Sequence, residues 1–132
     1  MVLGDWMKEI IVAGATVIEN KKLLVILDEQ VYYKTPGGKR EKNESHKEIV
    51  KREAMEEVGI EVEVGELLNE HFIDRGEKKY HLFNYRAYRK SKPKITSEIK
   101  GFKWLSYEDS KKEKLSSNVQ QLVNFLHVKG EM

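Results

Sequence analysis

The chain contains no cysteine and only two prolines among its 132 residues. The lack of cysteine excludes disulfides and thiolate metal sites, so any metal ion would have to be held by oxygen or histidine ligands. Long apolar runs are also missing, because the longest, residues 10–18, is shorter than the roughly 20 residues of a membrane-spanning helix. The N-terminus lacks the pattern of a signal peptide. We therefore expect a cytoplasmic protein that does not bind a membrane.

An excess of charge of one sign is absent as well, since the net charge is only +2 at pH 7. A balance this close to neutral argues against a nucleic-acid polymer as the partner. Charged residues make up 35% and hydrophobic residues 39% of the chain, which is typical of a globular domain. The length predicts a single domain that spans residues 1–132.

Hydrophobic patterning predicts strands, one central helix, further strands and a C-terminal helix, which together define an α+β fold. The predicted strands are residues 10–18, 23–27, 31–34, 60–64, 66–73, 80–88 and 102–105. The first two would form a hairpin through a turn at 19–22, and residues 74–79 and 90–96 would be loops. A C-terminal helix from Ser116 or Asn118 to about Val128 would bury Val119, Leu122, Val123 and Leu126. Residues 1–7 would be a lead-in whose Trp6 lies against the domain.

Residues 38–60, with the sequence GKREKNESHKEIVKREAMEEVGI, carry the densest chemical signals. A Pro-Gly-Gly turn comes first, in which Gly37 and Gly38 let main-chain groups approach a ligand or ion closely. Ser45, with Glu48 three residues later, predicts a capping box that opens a helix. The segment therefore combines a close-approach turn with a well-defined helix start.

The predicted helix ends at Gly59, which suits a left-handed C-terminal cap, and it gathers three glutamates on one side. At about 100° per residue, Glu53, Glu56 and Glu57 fall within an arc of roughly 100°, beside an apolar stripe of Val50, Ala54 and Val58. Such like charges cost a helix roughly 0.2–0.5 kcal/mol per pair. One interpretation is a solvated acidic face, partly relieved by a neighbouring arginine. The other is that a divalent cation relieves the repulsion, because hard ions such as Mg²⁺ take carboxylate and carbonyl oxygens.

The glycine and charged positions of this segment resemble the Nudix box. The matching pattern is Gly38, five residues, Glu44, seven residues, Arg52-Glu53, an apolar position, one residue, Glu56-Glu57, one residue, and then Gly59-Ile60. A fixed template with such long gaps is far more specific than a lone glycine motif. Two positions depart mildly from the family: Ala54 stands where a larger aliphatic residue is usual, and Thr35 where a bulky apolar residue often precedes Pro-Gly-Gly.

The resemblance implies an α/β/α sandwich on a mixed β-sheet, with the box helix and the C-terminal helix packed against it. It also implies Mg²⁺-dependent hydrolysis of a nucleoside diphosphate linked to another group, with Mn²⁺ as an alternative ion. By this carry-over, Glu53, Glu56 and Glu57 are metal ligands or the base that activates water, without a division of these roles. The carbonyl oxygen of Gly37 or Gly38 would be a further ligand.

The resemblance gives the remaining box residues supporting roles. Arg52 would orient the catalytic glutamates, and Glu44 would tie the loop to the helix or act as an outer ligand. Gly38, Glu44 and Gly59 would shape the box structurally.

Four residues in or beyond the box each allow two interpretations. Glu98 is either a further metal ligand on a loop, as in MutT-type enzymes, or an exposed loop charge. Asn118 is either a base-reading residue, as in the same enzymes, or the N-cap of the C-terminal helix. Lys39 and Arg40 either contact phosphates or solvate their loop.

The resemblance favours a MutT-type enzyme that cleaves canonical or oxidised nucleoside triphosphates to monophosphate and pyrophosphate. Hydrolysis of diadenosine polyphosphates or ADP-ribose is the alternative within the class, although Gly76 stands where ADP-ribose enzymes tend to have proline. A non-catalytic nucleotide-binding module is the alternative from another class. We expect a small nucleotide as partner and a monomer or homodimer.

Overall fold

The structure is a computed structural model that describes residues 8–29 and 31–132. In chain order its elements are β1 (Lys8–Thr16), β2 (Ile18–Glu19), β3 (Lys22–Leu27), β4 (Tyr33–Lys34), β5 (Gly37–Lys39), α1 (His46–Val58), β6 (Val62–Arg75), β7 (Lys78–Arg89), β8 (Gly101–Leu105), α2 (Tyr107–Ser110) and α3 (Ser117–Val128). The predicted lead-in, with Trp6, lies outside the described residues. No helix in the described part of the chain is long and apolar enough to cross a membrane.

The strands of the described residues form two four-stranded sheets. The first has the order β5-β1-β7-β6 and is mixed, because β1 runs parallel to β7 while the other neighbours are antiparallel. In the second, β3 pairs antiparallel with β2, β4 and β8. The predicted α+β class is confirmed. The parallel pairing of β1 with β7 joins segments about 70 residues apart in the sequence, beyond the reach of local patterning.

The two long helices cover opposite faces of β3. Leu24 and Ile26 belong to a core cluster with residues of α1, whereas Leu23 and Val25 belong to a second cluster with residues of α3. Because successive side chains of a strand point to opposite faces, this alternation places α1 on one side and α3 on the other. All predicted stripe residues of both helices are buried: Val50, Ala54, Val58, Val119, Leu122, Val123 and Leu126. The layered arrangement of helices on sheets is thus confirmed.

The box helix begins and ends as predicted. The Ser45 side chain accepts a hydrogen bond from the Glu48 backbone N–H, and the Glu48 side chain accepts one from the Ser45 backbone N–H. Gly59 ends the helix with φ 64°, in the left-handed region. The N-cap of α3, however, is Ser116, whose side chain accepts from the Val119 backbone N–H. The capping interpretation of Asn118 is therefore wrong, because this residue lies inside the first turn of α3.

Several strand bounds differ from the predicted ones. The predicted strands 60–64 and 66–73 are one strand, β6, with irregular register around Leu67, and the predicted loop 74–79 is mostly strand. Asp74 pairs with Lys79 across β6 and β7, so opposite charges extend the ladder to a tight turn at Gly76. The short helix α2, capped by Ser106, was not predicted. The predicted hairpin forms only at its tip, where β2 pairs with the start of β3. The prediction is wrong for β1, which pairs with β5 and β7 instead.

Candidate active site

Glu57 is a buried carboxylate that α1 holds against β5. The Gly37 backbone N–H donates to Glu57 Oε1 at 2.7 Å, and Lys34 Nζ lies 3.4 Å from Glu57 Oε2. Burial raises the pKa of Glu57 to about 7, although Lys34 and the Gly37 N–H both act in the opposite direction. A carboxylate with such a pKa is a candidate for metal binding or proton transfer.

The two glycines of β5 allow different close approaches. A Cβ atom on Gly37 would lie 2.7 Å from the Ala13 carbonyl oxygen, so the pairing of β5 with β1 requires a glycine there. A Cβ atom on Gly38 would instead lie 2.5 Å from the Glu53 carboxylate. Gly37 thus serves the sheet, whereas Gly38 makes room for a glutamate of α1.

Glu53 is the second partly buried glutamate of α1. Burial raises its pKa, against the opposing effect of Arg52, whose Nη1 donates to Glu53 Oε1 at 2.8 Å. The third glutamate, Glu56, is exposed and accepts from the same Nη1 at 3.3 Å. Arg52 is therefore the shared partner of Glu53 and Glu56, whereas Glu57 is held by Lys34 and the Gly37 N–H.

Arg52 also fixes the box loop to the helix. Its Nε donates to Glu44 Oε2 at 2.7 Å and its Nη2 to Glu44 Oε1 at 2.9 Å, which is a bidentate ion pair. The same Nη2 donates to the Lys39 carbonyl oxygen at 3.0 Å. The hydrogen bonds from Arg52 hold the pKa of Glu44 well below its ordinary value, at about 2. Glu44 thus links the loop that precedes α1 to the helix itself through Arg52.

The donor set suits a hard divalent cation, because it consists of carboxylate oxygens. Within residues 8–29 and 31–132, however, no three acidic, histidine or cysteine side chains already converge as metal ligands. The reason is visible in the ion pairs: Arg52 engages Glu53 and Glu56, and Lys34 engages Glu57. Metal binding by these glutamates would thus require their carboxylates to exchange ammonium or guanidinium partners for the ion.

Glu98 lies in an exposed turn that reaches the end of α1. The Thr96 side chain donates to the Glu57 carbonyl oxygen at 2.8 Å, and the Glu98 backbone N–H donates to the Thr96 hydroxyl at 3.3 Å. The structure therefore places the turn beside α1, and both interpretations of the Glu98 carboxylate stay open.

A cleft of about 560 Å³ opens next to the glutamates, a size typical of small-molecule sites. Strands β1, β4 and β7 and the start of α3 contribute to its walls. The residues that line it include Lys34, Gly37, Gly38, Lys39, Tyr80, Asn84 and Asn118. Lys39 Nζ lies 5.9 Å from the centre of the Tyr80 ring, and both residues line the cleft. Arg40 is exposed and lies outside the cleft lining. Of the two predicted phosphate contacts, only Lys39 lies at the cleft.

A buried pair of asparagine side chains lies inside the cleft. Asn84 Nδ2 donates to Asn118 Oδ1 at 2.8 Å, and Asn118 Nδ2 donates to Asn84 Oδ1 at 3.0 Å. Asn84 Nδ2 donates its other hydrogen to Asn69 Oδ1 at 2.8 Å. Since an amide has two N–H groups and two acceptor lone pairs, Asn118 retains one donor and one acceptor site beyond this pair. Its amide orientation is fixed by its neighbours.

Sequence reasoning missed Lys34, Asp28 and Asn84. Lys34 comes from β4 and Asp28 follows β3, and no motif links either of them to a glutamate of α1. Asn84 carried a weak signal, because it is a polar residue at a strand position whose neighbours on the same face, two residues away, include Leu82.

Comparisons with known proteins agree with this architecture. A family model described as NUDIX domain matches residues 8–125. The solved structure of the E. coli ORF135 protein is similar with a TM-score of 0.82 and 26% identity, covering 92% of this chain and 91% of that one. A MutT NUDIX hydrolase from Burkholderia pseudomallei has a TM-score of 0.82 and 21% identity, covering 90% of this chain and 98% of that one. The MutT protein from Methanosarcina mazei Go1 has a TM-score of 0.80 and 24% identity, covering 94% of this chain and 96% of that one. Among curated protein sequences, none matches significantly.

The family match spans most of the chain, and the box geometry described above lies within it. The chain belongs to the Nudix family. It is a hydrolase of the class that acts on pyrophosphate bonds of small nucleotide substrates, and enzymes of this class generally use a divalent metal ion.

Proposed function

We propose that this protein is a Mg²⁺-dependent pyrophosphohydrolase that converts canonical or oxidised nucleoside triphosphates to monophosphate and pyrophosphate. The observation that carries the proposal is the position of two half-buried or buried carboxylates, Glu53 and Glu57, directly behind residues that line a nucleotide-sized cleft. Gly37, Gly38 and Lys34 line that cleft and also adjoin these two glutamates.

Residues of α1 and β5 are assigned to metal binding, proton transfer and orientation in this reaction. When bound, Mg²⁺ neutralises charge on the phosphate oxygens and lowers the pKa of an attacking water. Glu53, Glu56 and Glu57 would hold the ion or accept the proton of that water, with the carbonyl oxygen of Gly37 or Gly38 as a further ligand. Arg52 keeps two of these carboxylates oriented through its Nη1.

Substrate positioning falls to residues of the cleft. Lys39 is exposed and lines the cleft, so its ammonium can meet phosphate oxygens. Asn118 lies deeper and offers the free donor and acceptor of its fixed amide to the edge of a base. Glu98 would approach the ion from its turn beside α1. Arg40, outside the cleft, has only its loop role in this proposal.

Two other substrates within the class remain in competition. Solved structures of a C. elegans Ap4A hydrolase and a Streptococcus suis ADP-ribose pyrophosphatase share the fold with TM-scores of 0.74 and 0.68, at 17% and 19% identity. Such likeness concerns the fold alone, so it favours none of the three substrate groups. A non-catalytic binding module is disfavoured because every glutamate of the box is present. Cytoplasmic location and a monomeric or homodimeric state stay predictions.

The proposal is tested by the release of phosphate and pyrophosphate from a nucleotide panel, with Mg²⁺ and with EDTA. The panel contains canonical and oxidised nucleoside triphosphates, ADP-ribose and diadenosine polyphosphates, with products separated by ion exchange. Metal-dependent formation of monophosphate and pyrophosphate from triphosphates supports the proposal. Cleavage of only ADP-ribose or the diadenosine polyphosphates would show that the substrate is one of these and not a nucleoside triphosphate. Nucleotide binding without cleavage would favour the binding module.

A further inference from the structure

Lys34 lies between two carboxylates at the end of the cleft. Its Nζ is 3.4 Å from Glu57 Oε2 and 3.5 Å from Asp28 Oδ2. The other oxygen of Glu57 accepts from the Gly37 backbone N–H, so both oxygens of this carboxylate have a donor. The Lys34 side chain is 30% exposed, and Lys34 lines the cleft.

A divalent cation bound to Glu57 would use the same oxygen that Lys34 approaches. Mg²⁺ binds carboxylate oxygens at about 2.0–2.1 Å, so an ion on Glu57 Oε2 would stand within a few ångströms of the Lys34 ammonium. Repulsion between a monocation and a dication at such a distance is substantial even in a high dielectric. Asp28 Oδ2, at 3.5 Å, holds the same ammonium from its other side, so the lysine lies beside Glu57 independently of any ion.

We propose that Lys34 is an internal competitor of the divalent cation for Glu57, which keeps the affinity of the protein for the ion low until a nucleotide is bound. The inference rests on the proposed function, in which Glu57 is a metal ligand. It goes further by assigning a role to a residue outside the box.

The nucleotide resolves the competition because it brings negative charge into the same cleft. Phosphate oxygens add ligands to the ion and offer the Lys34 ammonium a new partner within reach of its present position. Since coupling between two ligands is reciprocal, the ion and the nucleotide then strengthen each other's binding. Asp28 remains as the anchor that holds the lysine near the site.

The test is Mn²⁺ binding without nucleotide, measured at pH 8 from the electron paramagnetic resonance signal of the free ion. Lys34→Gln removes the charge and keeps a hydrogen-bond donor, and it should bind Mn²⁺ at least tenfold more tightly than the wild type. Lys34→Arg keeps the charge and should bind like the wild type. Lys103→Gln is the matched control, because Lys103 is 31% exposed, pairs with Glu113 at 3.3 Å and lies outside the site.

The gain in affinity should vanish when Lys34→Gln is combined with Glu57→Gln. Any of three results would overturn the inference. These are an Mn²⁺ affinity of Lys34→Gln within twofold of the wild type, an equal gain of affinity in Lys103→Gln, and no Mn²⁺ binding by any variant. The proposed function fails by a separate result, namely the absence of metal-dependent hydrolysis across the nucleotide panel. Because the binding assay contains no nucleotide, the two failures are distinguishable.

Discussion

Glu57→Gln is expected to stabilise the folded protein at alkaline pH while it removes a carboxylate that the proposed reaction needs. The amide is nearly isosteric with the carboxylate and can still accept from the Gly37 N–H. It removes the unfavourable burial of a charge, which is the main cause of the raised pKa of Glu57. Function and stability therefore conflict at this position, as is common at active sites.

The size of the effect follows from the pKa. In the folded protein the pKa of Glu57 is about 7, against an ordinary value of 4.5. Between these pH values the folded protein binds more protons than the unfolded chain, so the free energy of unfolding falls as pH rises through this window. At about 1.4 kcal/mol per pKa unit, the wild type loses about 3 kcal/mol between pH 4.5 and 8, whereas Glu57→Gln lacks this loss.

Urea denaturation followed by circular dichroism, at pH 5 and pH 8 with EDTA, measures the difference. The variant and the wild type should differ little at pH 5, and the variant should be the more stable by about 2–3 kcal/mol at pH 8. Glu56→Gln, on the exposed side of the same helix, is the matched control and should follow the wild type. An identical pH dependence in the wild type and Glu57→Gln would refute the reasoning.

Three further changes separate recognition, reaction and folding. Asn118→Ala should reduce discrimination among bases in kcat/KM without abolishing hydrolysis, and an unchanged base preference would remove Asn118 from recognition. Gly38→Ala should lower hydrolysis by at least tenfold with little loss of thermal stability, because the new Cβ displaces only the flexible Glu53 carboxylate. Gly37→Ala should instead lower stability by about 1–3 kcal/mol, because its Cβ meets the backbone of β1. Equal melting temperatures for these two glycine variants would contradict that distinction.

Features set by neighbouring residues were predictable from the sequence. The capping box of Ser45 and Glu48, the left-handed Gly59 and the apolar stripes of α1 and α3 all depend on contacts within a few residues. The same local reasoning erred for the N-cap of α3. Ser116 and Asn118 are both good capping residues. In the structure Ser116 caps α3, whereas the Asn118 side chain pairs with Asn84, a contact that local patterning does not reveal.

Features set by distant residues were not predictable. The bridge from Lys34 to Glu57 joins β4 to α1, and the pairing of Asn84 with Asn118 joins β7 to α3. Neither contact leaves a periodic signal in the chain. The box spacing therefore located the glutamates and Arg52, while the cleft and the Lys34 partner of Glu57 became apparent only from the folded arrangement.

The most direct test of the central claim compares hydrolysis of the preferred substrate by the wild type, Glu53→Gln and Glu57→Gln, with saturating Mg²⁺ and with EDTA. The proposal predicts metal-dependent turnover in the wild type and a loss of about a thousandfold in kcat for each variant, with their folded circular dichroism spectra retained. Glu113→Gln, which lies outside the site, should turn over like the wild type. Turnover by folded Glu57→Gln at the wild-type rate would contradict the assignment of the active site to α1.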